Sequence, residues 1–441
     1  MWDGLLILVE IKYILILILH IFNYKVMPQI NGIETTAIAG LGQIGVTPAT
    51  IYPSGGLVVN SNVLRSGSLT NSGYIYGTAP FYNRPYDMAS ASLGTSTWTK
   101  IVGNSVAIYL LSSSGELYSM GSSTFYTSTG QTYRLSKVTT GSSGWTDIAA
   151  GSNFALGICD SKLFGIGLNG NGQLGNGTTT AILTNFAVVN SNPWWTRVSC
   201  GEEMAMAMSG SGGSGVLFAA GRNFEGRTGQ NTSTGNTITW TRVVNHTSSI
   251  FTDFSCGNDF TLAISGSNIF GTGDASAFVF GNNSETDLLT FTLVSGSGIW
   301  SRVFAFNAFS KAIDTNGSQY HCGQQAYSRG DGSIANLNTW TRLNTASAEF
   351  SGSWTNFYAN NIGSTTYGVI GVNRNRPFYI GQRGTTTDWF PNTTWTDYTT
   401  ASNEATWKPF VSTSVNVSCS AAGFWGSAFE PTLFIQLTPI S

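Results

Sequence analysis

The sequence predicts an all-β protein built as a β-propeller, with seven four-stranded antiparallel blades and eight as the alternative, and three observations carry that expectation. In Leu163 to Thr178 an apolar run is followed by Gly167, Asn169, Gly172 and Gly175 at fixed offsets. That is the pattern of a strand leaving a sheet through a tight, positive-φ loop. The same spacing returns at Gly221, Asn223, Gly226 and Gly229. Third, an aromatic anchor followed by Thr or Ser recurs at Trp98, Trp145, Trp195, Phe251, Trp300, Trp354 and Trp395. Its spacing of about fifty residues is the period of propellers, solenoids and arrays.

Each element follows in order. Residues 1–26 stand outside the repeat. Leu5 to Phe22 is rich in Leu and Ile, but Glu10, Lys12 and His20 interrupt it, and an ionisable group near a membrane centre costs about 3 kcal/mol. Asp3 replaces the basic start of a signal peptide and no small-residue cleavage site follows. The leader is therefore expected to be an upstream extension of a frame starting at Met27. The alternative is a membrane anchor over residues 5–22. Residues 27–60 read as an N-terminal arm that docks on partner proteins, with a flexible tail as the equal alternative. Its Pro28-Gln-Ile-Asn-Gly-Ile-Glu34 looks like short N-terminal stretches of phage structural proteins.

Residues 61–441 read as the propeller. In the clearest repeat Trp145 to Ala150, Phe154 to Cys159, Lys162 to Leu168 and Leu183 to Val189 are expected strands, with Asp160-Ser161 as a two-residue hairpin turn. Strand-ending glycines at Gly77, Gly121, Gly273, Gly323, Gly381 and Gly426 mark fainter copies. Four antiparallel strands per repeat make a propeller blade. The segment from about Leu57 to Ser96 is expected to pair with the last repeat and close the ring.

With these motifs in place the chain resembles the regulator of chromosome condensation repeat family, whose fold is a seven-bladed β-propeller. Gly167-Leu-Asn-Gly-Asn-Gly-Gln-Leu-Gly175 is close to that family's loop signature and Gly221 to Gly229 is a second copy. The resemblance runs from Trp98 to the C-terminus, with a weaker extension back to about Leu57. Where the family commonly has a His after the inner-strand glycine, this chain has Val106, Phe154, Met204, Phe260 and Phe309. The family includes a chromatin-docked exchange factor for a small GTPase and an inhibitor of β-lactamases, so the fold leaves the function open.

Composition narrows the function. Only 10% of residues are charged and the formal net charge is -2, which leaves no electrostatic footprint for nucleic acid. Cys159, Cys200, Cys256, Cys322 and Cys419 form no metal-binding spacing, and His20, His246 and His321 stand in none either. No nucleophile elbow or phosphate loop is present, and Glu202-Glu203 reads as a solvated turn. The expectation is a non-enzymatic protein with no metal and no cofactor.

Binding is the remaining chemistry. An aromatic follows the strand-ending glycine at Phe81, Phe125, Phe224, Phe278 and Tyr327, and at longer range at Trp389. Phe125, Tyr126, Phe224, Arg227, Tyr327, Arg329 and Trp389 are the candidate binding residues: flat apolar rings beside planar cationic donors suit a protein, a glycan or both. The alternative is that the aromatics wedge between blades. The favoured setting is a phage particle, as a tail or surface component. An intracellular regulatory propeller of the exchange-factor type, in the host cytoplasm, is the alternative.

Overall fold

Strands form where short β-branched and aromatic runs are punctuated by turn residues. The Trp145 repeat folds as Trp145–Ala150, Phe154–Cys159, Lys162–Gly167 and Ile182–Asn190, hydrogen-bonded in that order as one antiparallel sheet. Asp160 and Ser161 both adopt positive φ, 49° and 61°, the conformation a two-residue hairpin requires. The computed structural model describes residues 50–51, 57–58, 63–66, 74–78, 98–104, 107–121, 132–140, 144–212, 214–244, 250–324, 328–343, 353–362, 366–374, 376–381, 404–409, 415–420 and 433–439.

The chain divides into two units, Met1–Asn60 and Ser61–Ser441. In the first, Thr50–Ile51 pairs with Leu57–Val58. The second is a β-propeller of four-stranded antiparallel blades. The Trp98 blade consists of Trp98–Gly103, Ala107–Ser112, Leu117–Gly121 and Thr132–Lys137, and the Trp195 blade of Trp195–Cys200, Met204–Ser211, Ser214–Arg222 and Asn236–Arg242. Phe251–Cys256, Phe260–Ser265, Asn268–Gly273 and Leu288–Ser295 form the next, joined to the Trp195 blade by the pairing of Gly215 with Phe251. After it come Trp300–Ala305, Phe309–Asp314, Gln319–Gly323 and Leu337–Arg342, then Trp354–Ile362, Thr366–Asn373, Arg376–Gly381 and Glu404–Pro409. In the closing sheet Val415–Ser420 and Leu433–Pro439 are joined by Tyr74–Thr78 and Val63–Ser66. The early segment thus pairs with the C-terminal strands, as expected.

Trp395 was expected to open a blade. The topology overturns this, because the Trp354 sheet takes its fourth strand, Glu404–Pro409, from beyond that residue, and Val415–Ser420 opens the closing sheet. Trp395 itself lies outside the described residues, as do 1–49, so the leader and most of the arm are not described. The register also places Ala107, opposite Gly121, where Phe154 stands opposite Gly167; the sequence reading had put Val106 there. Among the described residues no helix is long and apolar enough to cross a membrane.

Two devices hold blade to blade. The first is aromatic: Trp145, Trp195, Phe251, Trp300 and Trp354 are all at most 3% exposed. The first four pack on an aromatic of their own fourth strand, Phe186, Trp240, Phe291 and Trp340, at 5.3, 5.7, 5.5 and 5.5 Å between ring centroids. Apolar side chains of the preceding blade's second strand pack against each of these anchors, as Leu156 and Ile158 do on Trp195. The second device is electrostatic. Asp147 accepts from the Val198 N–H of the next blade at 2.9 Å and from Lys100 of the previous one at 2.7 Å. Asp253 repeats this with the Val303 N–H at 2.9 Å and Arg197 at 2.7 Å.

Candidate binding face

The loop between third and fourth strands is built by its glycines. Gly167, Gly273 and Gly323 end their strands and Gly221 stands one residue before the end of its own. Gly167, Gly221, Gly273 and Gly323 adopt φ of 111°, 109°, 107° and 106°, a conformation open to glycine. A Cβ at any of them would come within 2.7 Å of a backbone carbonyl oxygen, those of Asn153, Glu203, Asp259 and Ala308. Asn169, fully buried, then closes the loop: its Nδ2 donates to the carbonyls of Thr178 and Thr180 and its Oδ1 accepts from the Leu174 N–H. Asn223 makes the same staple between Thr232 and Thr228.

These loops cross to the next blade. Gly177 N–H donates to Ile238 and Asn231 N–H to Leu289, both on the next blade's fourth strand. Gly172 and Gly226 lie against Ile238 and Leu289, with Gly175 on the Trp240 ring and Gly229 beside Phe291. The repeat glycines are therefore seats for the neighbouring blade's backbone and rings. The fourth-strand aromatics they meet were not singled out from the sequence, although Thr239-Trp240-Thr and Thr339-Trp340-Thr repeat visibly.

Of the candidate binding residues, Phe125, Tyr126, Tyr327 and Trp389 lie outside the described residues, as does Phe81. Phe224 opens a short 3-10 turn and is 51% exposed. Phe278 is not its structural equivalent. Counted from Gly273 it occupies the place of Gly226, with φ of 56° against 79°, whereas Phe224 corresponds to Ser276. Arg227 and Arg329 do share a place in their loops, but both are buried. Arg227 pairs with Glu225 at 2.8 Å and with Asp259. Arg329 pairs with Asp331 at 2.5 Å and donates to the Ala335 carbonyl. They hold loops together and are not the rim donors the sequence reading expected.

What surrounds Phe224 is charge. The Arg222 guanidinium lies 5.4 Å from its ring centroid and pairs with Glu203 at 2.7 Å. Glu202, Glu225 and Asp274 each act electrostatically on Asp259, and Glu202 and Asp259 act on Arg222. Burial, aided by Glu202, Asp274 and Glu225, pushes the Asp259 carboxyl up to about 6, while Arg227 opposes the shift. Five carboxylates and two guanidinium groups thus gather on two adjacent blades of a chain with few charges. Among the described residues no group of His, Cys, Asp and Glu is arranged to hold a metal ion.

No family model and no curated protein matches the chain. Solved structures do. Human WBSCR16 is 12% identical, covering 78% of this chain and 88% of that one at a TM-score of 0.62. Prp20p of Saccharomyces cerevisiae, studied for its binding to Gsp1p and histones, is 11% identical, covering 93% and 96% at a TM-score of 0.59. Both are propellers of the type of the regulator of chromosome condensation, and at these identities the likeness shows one thing: this chain has their β-propeller fold.

Proposed function

We propose that the chain is a protein-binding β-propeller without chemistry of its own, which takes a partner on the glycine-loop face of the Trp195 and Phe251 blades. The observation that carries this reading is Phe224, a half-exposed ring amid the charged cluster. An aromatic rimmed by charge is the usual form of an interface anchor. The carboxylate excess selects a partner with basic side chains. Support also comes from the fold, since Prp20p, which shares it, binds proteins.

A phage particle remains the proposed setting, on the low charge and the abundance of Gly, Ser, Thr and Asn, with glycan as the other ligand class for the same face. Capture from host-cell and particle lysates with the wild-type chain, Phe224→Ser and, as a control on another surface, Val188→Ser tests the reading. A partner retained by wild type and Val188→Ser and lost with Phe224→Ser is expected. Identical capture by all three sinks the assignment of this face. Retention on a glycan array that depends on Phe224 would move the ligand class from protein to carbohydrate, and presence of the chain on purified particles tests the setting.

A further inference from the structure

The second and third strands of successive blades present an equivalent set of side chains to the next blade, and among the described residues one seam carries a lysine and a histidine there. The set is Tyr109, Ser119 and Leu117 in the Trp98 blade, Leu156, Gly165 and Leu163 in the Trp145 blade, Met206, Ala219 and Leu217 in the next, then Leu262, Gly271 and Ile269. All are buried. The Trp300 blade puts Lys311, His321 and Gln319 at the same three places, each at most 1% exposed. They face the Trp354 blade. Lys311 Nζ lies 5.1 Å from the Phe357 ring centroid, and Phe309 and Ile313, flanking Lys311 on the same face, pack with Trp354, Phe357, Val369, Phe378 and Ile380. Asn373, buried opposite Trp354, adds a further amide.

Lys311 Nζ donates to the Arg329 carbonyl at 3.1 Å, and the His321 ring stacks on Phe309 at 5.4 Å. Among the described residues neither nitrogen of His321, and neither polar atom of the Gln319 or Asn373 amides, has a hydrogen-bond partner. Buried polar groups of this kind weaken a packed seam, and a buried charge weakens it more. We propose that this seam is the proton-sensitive joint of the ring: protonation of Lys311, and at lower pH of His321, loosens the Trp300 blade from the Trp354 blade while the apolar seams stay closed.

The electrostatics agree with the geometry. Burial pushes the Lys311 amine from its ordinary 10.5 down to about 7, with Asp331 raising it and Arg329 lowering it, and the Cys322 thiol beside them. Burial also holds His321 well below its ordinary value, and Lys311 and Arg329 push it the same way. From the first strand Arg302 reaches the Thr355 carbonyl at 2.6 Å. The side chains named above on the Trp354 blade are uncharged. Because the closed seam depresses the lysine's pKa, its contribution is fully present above about 10.5 and is lost as pH falls to about 7. The histidine adds a loss below about 6.5.

Hydrogen exchange of the full chain, expressed as protection factors at pH 9 and pH 7, tests this. Amides of Phe309–Asp314 and Thr366–Asn373 are expected to lose protection at least about tenfold at the lower pH. Those of Phe154–Cys159 and Met204–Ser211 should change by less than about twofold by the same linkage. Lys311→Met, which restores the side chain of the equivalent Met206, should abolish the difference, and Gln319→Leu should keep it. Equal loss in every seam, or a difference that survives Lys311→Met, overturns the proposal. The comparison between seams in the wild-type chain decides it even if the variant does not fold.

Discussion

Gly172 shows how little room a repeat residue has. Its φ is +76° and a Cβ there would come within 2.7 Å of the Ile238 Cα on the next blade. Gly172→Ala is expected to cost at least about 1–3 kcal/mol, from backbone strain together with the contact of its Cβ on the Ile238 backbone, and Gly172→Val more, because a branched side chain must displace the neighbouring strand further. Equal melting temperatures for the two would refute that seat. Trp195, 2% exposed against Phe218 and Trp240, should cost about 3–5 kcal/mol when cut to Ala. Asp259 carries a pH dependence of the opposite sign to the lysine seam. Its folded pKa of about 6 lies above the ordinary carboxylate value, so its contribution is intact below about 4 and is lost as pH rises through about 6. Asp259→Asn should therefore gain about 1–3 kcal/mol on wild type between pH 4 and pH 7.5, read from denaturation midpoints at each pH; a constant difference would contradict the shift.

At the scale of the element, the first strands of the Trp145 and Phe251 blades are each tied to both neighbours by one aspartate, Asp147 and Asp253. Asp147 accepts from the N–H groups of Ile148 and Val198 as well as from Lys100. Asp147→Ala leaves two buried donors without an acceptor and should cost about 2–4 kcal/mol. Lys100→Ala removes only the partly exposed ion pair and should cost less than about 1 kcal/mol. Urea denaturation of both variants checks the ranking, and similar losses would mean that the ion pair, rather than the backbone bonds, makes the tie. The glycine loop is the matching element at the outer edge, where Asn169 and Asn223 close each loop internally so that its backbone can lie on the next blade.

For the whole molecule the decisive contact is between the two ends of the propeller unit. Leu433–Pro439 pairs with Tyr74–Thr78, from Leu433 opposite Thr78 to Leu437 opposite Tyr74. Without that pairing Leu433–Pro439 and Tyr74–Thr78 would each present an unpaired sheet edge. A chain shortened after residue 430 should lose its single cooperative transition and melt in at least two steps, the first at a lower temperature. Calorimetry of both lengths checks this, and one unchanged transition would show that the pairing does not hold the ring.

The sequence by itself determined the blade, because everything a blade needs is local. The hairpin at Asp160 and Ser161, the anchor at Trp145 and the glycine loop from Gly167 all act within one repeat. Most strand bounds of that repeat were legible to within a residue for this reason. Only the tertiary structure decided what happens between blades. Trp395 matches the anchor pattern, yet the Trp354 sheet reaches past it for its fourth strand, a choice made by pairing partners and invisible to local pattern. Arg227 and Arg329 look exposed in a polar loop, but acids within the loop and on the neighbouring turn enclose them. Lys311, His321 and Gln319 scatter among ordinary residues in the chain. Strand register sets the first beside the second and Ile313 beside the third on one buried face, and the next blade closes over them.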